Sequence, residues 1–288
     1  VFAMLALGFV MGRGGWAKQD EAAAVNRIAF LVLQPPLIFM LLTSLDLSAV
    51  RYDALALYFA AEVIMFAVSF AIARSVFNCE SAEAFLLGMC VIFVNSLLYV
   101  GPISVLIYGE QGALPITVIV ALDASFWFAF FIIGMELIKG TGGINTALPR
   151  IVKNPVLITI ALSLLLNVAA ISIPVPIVTG SEFAGAAAAP MVLFALGVVL
   201  SSHSVKPTKV VAGISALKLF GLPILVFAAF ETLSADNPWA DLFTLTASGP
   251  AGAMAFSLAL LYGVRTARIA AIIIWTSVLS LISLSYLA

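Results

Sequence analysis

The chain has 288 residues, 64% of them hydrophobic and only 9% charged, with mean hydropathy +1.21 and a formal net charge of -1. That balance excludes a soluble domain of this length and a basic nucleic-acid binder. Cys79 and Cys90 are too few for a disulfide framework, and the single histidine, His203, excludes a His-rich metal site or a haem.

Runs of apolar residues separated by short polar links predict ten membrane spans: 1–12, 22–44, 55–75, 83–108, 113–138, 154–173, 184–202, 209–231, 239–262 and 266–287. The first run reaches about 18 Å at 1.5 Å per residue, against a bilayer core of about 30 Å. It therefore reads as the remainder of a longer helix cut at Val1. The link 140–153 divides the chain into two five-span halves, 1–139 and 154–288. Arg13, Lys18, Arg27, Arg74, Lys139, Arg150, Lys153, Lys206, Lys209, Arg265 and Arg268 fall in or beside alternate links, whereas Glu110, Glu182 and Asp236 fall on the other side with Arg51. The positive-inside rule then places 140–153 in the cytoplasm and both termini outside.

Two Gly-Pro steps interrupt apolar spans. Gly101-Pro102 lies in the fourth span and Gly249-Pro250 in the ninth, each the fourth span of its half. The run "QPPLIFMLL" in the second span corresponds to "APMVLFALG" in the seventh. An odd number of spans per half inverts the second half, so the fold class is an all-α membrane protein of two inverted five-helix repeats. Proline removes a backbone donor, and open backbone at membrane depth needs protein or a wet cavity beside it. The two breaks are expected to cross, with their half-helix N-termini aimed at one point. Single kinks are the ordinary reading of either Gly-Pro; their matching positions favour the crossing.

Glu62, Asp123 and Lys218 lie inside the third, fifth and eighth spans, where charge is costly and faces protein or a cavity. An Asp123–Lys218 pair is expected, either as a static bridge or as a group sensitive to protons or substrate. Asn95, Tyr99 and Ser248 cluster near the breaks, and Gln34 precedes Pro35-Pro36. Candidate substrate contacts are thus Gln34, Asn95, Tyr99, Gly101, Pro102, Ser248, Gly249 and Pro250. Coupling to a proton or Na+ falls to Glu62, Asp123 and Lys218. No metal site, resident cofactor, ATP-binding motif or nucleophile–base pair is read, so the chain reads as a carrier and not an enzyme.

The strings "AVNRIAFLVLQPPLIF", "NSLLYVGPISVLIYGEQG", "KNPVLI", "AAAPMVLFALGVVL", "LKLFGLPIL" and "SGPAGAMAFSLALLYG" occur in that order along the chain. Together they resemble the auxin efflux carrier family, bacterial branch, over almost the whole length. The resemblance implies a scaffold of spans 1, 2, 6 and 7, a mobile transport unit of spans 3–5 and 8–10, and a homodimer in the inner membrane. It also implies an elevator-like alternating-access cycle and a small organic anion at the crossing: malate, malonate or an auxin-like acid. Plant members carry Asn-Pro-Asn at both breaks; here both are Gly-Pro, which speaks against auxin. The alternative is a cation–proton antiporter or ion-coupled symporter using Asp123, Lys218 and Glu62.

Overall fold

The computed structural model describes residues 2–109, 113–140, 144–202 and 207–287. Val1, Glu110, His203 and Lys206, all used above, lie outside the described residues. The described chain is helical. In order come α1 (Phe2–Arg13), α2 (Gln19–Thr43), α3 (Tyr52–Ser75), α4 (Ser81–Ile92), α5 (Gly101–Tyr108) and α6 (Leu114–Lys139). They are followed by α7 (Ile144–Val152), α8 (Pro155–Val168), α9 (Val175–Ser201), α10 (Lys209–Leu233), α11 (Ala240–Ala247), α12 (Met254–Leu261) and α13 (Ala267–Leu287). Among the described residues, five helices (α2, α3, α6, α9 and α10) are long and apolar enough to cross a membrane.

Helix ends follow local chemistry. The side chain of Asn154 accepts from the amides of Val156 and Leu157 and Pro155 opens α8, so a missing N–H falls where no intrahelical acceptor exists. Thr208 caps α10 through the amide of Val211. The link expected over 140–153 holds a helix of its own, α7. Its apolar positions Ile144, Leu148, Ile151 and Val152 recur at helical spacing. Pro149 disguises that pattern in the sequence. Arg150 in α7 reaches Glu136 at 3.5 Å, and Tyr262 donates to the same carboxylate at 3.0 Å.

The contacts divide the chain into two compact units. The first comprises Val1–Leu45, Ala121–Ser204 and Phe256–Val264, and the second Asp46–Val120, Val205–Ala255 and Arg265–Ala288. Each unit draws on both halves of the sequence. The first holds α1, α2, α7, α8, α9 and most of α6 and α12; the second holds α3, α4, α5, α10, α11 and α13.

Within the first unit, α1 and α9 approach until backbone meets backbone. A Cβ on Gly8 would lie 2.1 Å from the Phe194 carbonyl oxygen, and one on Gly197 would lie 2.1 Å from that of Leu5. Small residues on both helices permit this approach, and in lipid such packing replaces the hydrophobic drive available in water. On α8 and α9, Leu165, Val168, Val175 and Phe183 remain exposed, as apolar side chains facing lipid would. In the second unit Tyr58 of α3 packs edge-on to Phe243 of α11, with ring centroids 5.2 Å apart, and Phe243 also meets Phe230 of α10.

Replacing Gly8 or Gly197 with Ala inserts a methyl where a carbonyl already sits. Each change is expected to cost about 1–3 kcal/mol, read as a lower melting temperature in detergent, whereas Gly180→Ala, in open space, leaves it unchanged.

Candidate functional site

Two apolar segments are interrupted within the second unit. The first interruption is not at Gly101-Pro102. α4 ends at Ile92, Phe93 turns extended, and the chain re-enters helix through a π-turn at Ser96–Val100 that runs into α5. Gly101 and Pro102 follow that turn without a gap, the Gly101 amide donating to the Ser96 carbonyl, so the proline removes one donor from a helical stretch that nonetheless continues through it. The break therefore lies upstream, at Phe93, Val94 and Asn95. The second interruption is where the sequence puts it. α11 ends at Ala247, Ser248–Pro250 leave the helix, and α12 begins at Met254.

The two interruptions bind each other. Val94 and Ala251 form an isolated antiparallel bridge. The amide of Asn95 donates to the Pro250 carbonyl at 2.9 Å, and the amide of Gly252 donates to the Phe93 carbonyl at 2.7 Å. The Ala251 amide donates to Oγ1 of Thr276 on α13 at 3.1 Å. Backbone groups released by breaking a helix at this depth must find partners, and here each break supplies them to the other.

Glycine allows the approach. A Cβ on Gly249 would sit 2.4 Å from Cγ2 of Val100 and 2.9 Å from Cγ1 of Val94. A Cβ on Gly252 would crowd Phe93 at 3.0 Å. Position 101 is different: a Cβ there would lie 3.3 Å from the Ser96 carbonyl, a lesser conflict.

Lys218 serves the same region. It lies in the π-turn Leu217–Gly221 of α10, is fully buried, and donates from Nζ to the Ala247 carbonyl at 2.7 Å. That carbonyl belongs to the last turn of α11, where orphan acceptors and the negative end of the helix dipole favour a cation. A π-turn displaces one residue from the regular helix face and is frequent at functional positions. Asp123 opens another π-turn, Asp123–Trp127 in α6, at 3% exposure, and belongs to the first unit. Glu62, in the middle of α3, is fully buried in the second unit.

The other expected contacts sort by unit. Asn95 is half-buried, and its carbonyl accepts from the amides of Tyr99 and Val100. Tyr99 is held by α13: its hydroxyl donates to the Ser277 carbonyl at 3.0 Å and accepts from Ser280 Oγ at 3.1 Å. Ser248 is buried and returns its hydroxyl to the Thr244 carbonyl at 2.9 Å. Gln34 lies in the first unit, immediately after the π-turn Ala29–Leu33, 6% exposed, with Oε1 lacking a hydrogen-bond partner. Asn95, Ser248, Gly249 and Pro250 are thus gathered at one locus, with Tyr99 and Gly101 one turn along. Thr276, Ser277 and Ser280 escape the sequence reading, because Ser and Thr within an apolar helix ordinarily bond back to their own carbonyls. Thr276 does so too, to Ile272 at 2.7 Å, while serving Ala251.

A multi-pass helical chain with paired interruptions and ionisable groups buried on its apolar helices has the hallmarks of a membrane transporter. The sequence profile of the family described as "Membrane transport protein" matches residues 1–288. The chain belongs to that family, the auxin efflux carriers. It is also 27% identical over 292 residues to a protein of Rhizobium meliloti (strain 1021) named "Putative malonate transporter", an alignment covering 97% of this chain and 90% of the relative.

Substitutions at Thr276, Pro250 and Pro102 test the locus. Thr276→Val removes the acceptor of the Ala251 amide and is expected to cost about 1–3 kcal/mol, whereas Thr276→Ser keeps wild-type melting. Pro250→Ala, inside the interruption, should lower transport more than Pro102→Ala, which lies in the first turn of α5. Equal loss in both would return the first break to Gly101-Pro102.

Proposed function

We propose that the chain is a secondary carrier of small organic anions, and that the joined interruptions at 93–95 and 248–252 form its substrate site. The observation that carries this reading is the hydrogen-bonded bridge between two unwound segments of apolar helices. Unwound backbone is costly in a membrane, and a fold that retains two such segments in mutual contact gains a cluster of main-chain polar groups where a ligand can use them. The Ser96–Val100 turn and α12 start beside the bridge, and the leading end of a helix carries partial positive charge, equivalent to roughly half an elementary charge. Lys218 occupies the opposite kind of end, that of α11, and offsets its negative potential. The balance favours a carboxylate.

The relative named for malonate supports a short dicarboxylate as substrate. Transport proceeds by alternating access between two inverted repeats crossing at the fourth and ninth spans. Spans 1, 2, 6 and 7 serve as scaffold in a homodimer, and the remaining spans carry the site. The chain resides in the inner membrane with both termini outside, and a proton or Na+ gradient supplies the drive. Asn95 and Ser248 orient the anion, with Tyr99 and Gly101 contributing to the wall. Asp123, Lys218 and Glu62 form the coupling set.

The burial of Glu62, Asp123 and Lys218 also supports a second reading, cation–proton antiport through those three groups. The two readings separate in proteoliposomes. The carrier exchanges malonate across the membrane and ignores malonamide, because removing the charge leaves the donors of the site underused. An antiporter dissipates a pH gradient on addition of Na+ or K+ with no carboxylate present. Equal exchange of acid and amide, or cation-driven dissipation alone, would overturn the anion reading.

A further inference from the structure

Within the first unit a cavity of about 590 Å³ opens between α2 and the end of α12. Its α2 wall is one helical face, Ala23, Ala24, Arg27 and Leu31, at relative positions -4, -3, 0 and +4. The two alanines leave the hollow, and Leu260 and Leu261 close it from α12. None of these residues belongs to the interruptions at 93–95 and 248–252.

Asn26 also lines the cavity and is fully buried. Its Nδ2 donates to the Ser257 carbonyl at 3.1 Å. That bond fixes which end of the amide is which, since a carbonyl can only accept. Oδ1 is left buried without a hydrogen-bond partner. An unmet acceptor costs about 1–3 kcal/mol, so its retention calls for a ligand that donates. Arg27, next in sequence, is exposed and makes no ion pair among the described residues. Its planar guanidinium matches a carboxylate with two parallel bonds. A cavity with the Arg27 guanidinium and, next to it on the same helix, a buried amide oxygen without a hydrogen-bond partner is complementary to a molecule that carries a carboxylate and, beside it, an O–H.

We propose that this cavity is a second binding site, distinct from the interruptions, for a small hydroxy carboxylate: Arg27 binds the carboxylate and Asn26 Oδ1 accepts from the hydroxyl. The proposal shares with the functional reading above only the premise that the chain handles organic anions. Its location sets its role. α2 begins at Gln19 after Lys18, and α12 ends at Leu261 before Arg265, so the cavity lies toward links rich in cations. An anion held there sits on the side that the charge distribution assigns to the cytoplasm, and it lies against Leu260 and Leu261 of α12, the half-helix that follows the second interruption.

The test uses a cysteine in the cavity wall. In Leu261→Cys, the full chain in lipid nanodiscs is treated with a neutral maleimide, and modification of residue 261 is followed by mass spectrometry. The native Cys79 and Cys90 are both buried, and burial pushes the Cys79 thiol up, so they contribute little background. Glycolate at about ten times its Kd is expected to slow labelling about tenfold. Acetate, lacking the hydroxyl, and glycolamide, lacking the charge, should protect far less at the same concentration. Arg27→Gln should abolish protection. Leu260→Trp, which fills the hollow and keeps the charge, should abolish it as well, so the result does not hinge on one variant. No protection by glycolate, equal protection by glycolamide, or full protection in Arg27→Gln would overturn the site and show the cavity to hold water only. The functional reading has its own arm. Malonate exchange lost in Gly249→Val with glycolate protection intact shows two separate sites. Exchange that survives Gly249→Val with protection intact contradicts the reading at the interruptions and leaves the cavity site standing.

Discussion

Two peptide hydrogen bonds hold the candidate site together: the Asn95 amide to the Pro250 carbonyl and the Gly252 amide to the Phe93 carbonyl. In water, either could be exchanged for solvent at a net cost of about 1 kcal/mol. In a bilayer no such exchange is available, and an unpaired peptide group costs several kcal/mol. The interruptions are therefore mutually dependent: neither helix can stay open unless the other does. Gly249 gives the space, Thr276 takes the remaining amide of Ala251, and Lys218 serves the carbonyl at the end of α11. Each of these features follows from the need to satisfy broken backbone out of reach of bulk water.

That constraint also explains where sequence reading succeeds and where it fails. The second interruption is legible because Gly249 and Pro250 cannot continue a helix at that point: the proline lacks a donor, and the glycine is the residue that admits Val94 and Val100. The first is not legible. Phe93, Val94 and Asn95 carry no obligatory breaker, and their extended backbone is imposed by pairing with residues more than 150 positions away. Gly101-Pro102 attracts attention instead, yet the helical stretch that begins at Ser96 runs straight through it. Five of the expected spans coincide with helices long and apolar enough to cross a membrane, because apolar runs are one-dimensional features, although α9 begins at Val175, nine residues before the expected span 184–202. The helix within the link after α6 was hidden by Pro149. Thr276 was hidden by its chemistry, since threonine in an apolar helix usually serves its own turn.

The ionisable groups follow the same logic with a different currency. Burial of Lys218 is tolerable because an oriented carbonyl and a helix end receive it, and the π-turn places it there. Asp123 also opens a π-turn, so an under-wound turn accompanies two of the three ionisable residues expected in mid-span, Asp123 and Lys218 but not Glu62. The helix-packing glycines of α1 and α9 show the same membrane rule applied to apolar contacts: small residues bring backbones together where lipid offers no hydrophobic drive.

The central claim is that the paired interruptions bind the transported anion. The most direct measurement is a solid-state NMR dipolar coupling between carboxyl-13C malonate and 15N-labelled asparagine in the full chain in lipid, with the Asn95 side-chain signal assigned by its loss in Asn95→Ser. The account predicts that malonate dephases the Asn95 side-chain nitrogen, and that excess unlabelled malonate removes the effect. Coupling confined to other asparagines, in a preparation that still exchanges malonate, would contradict it.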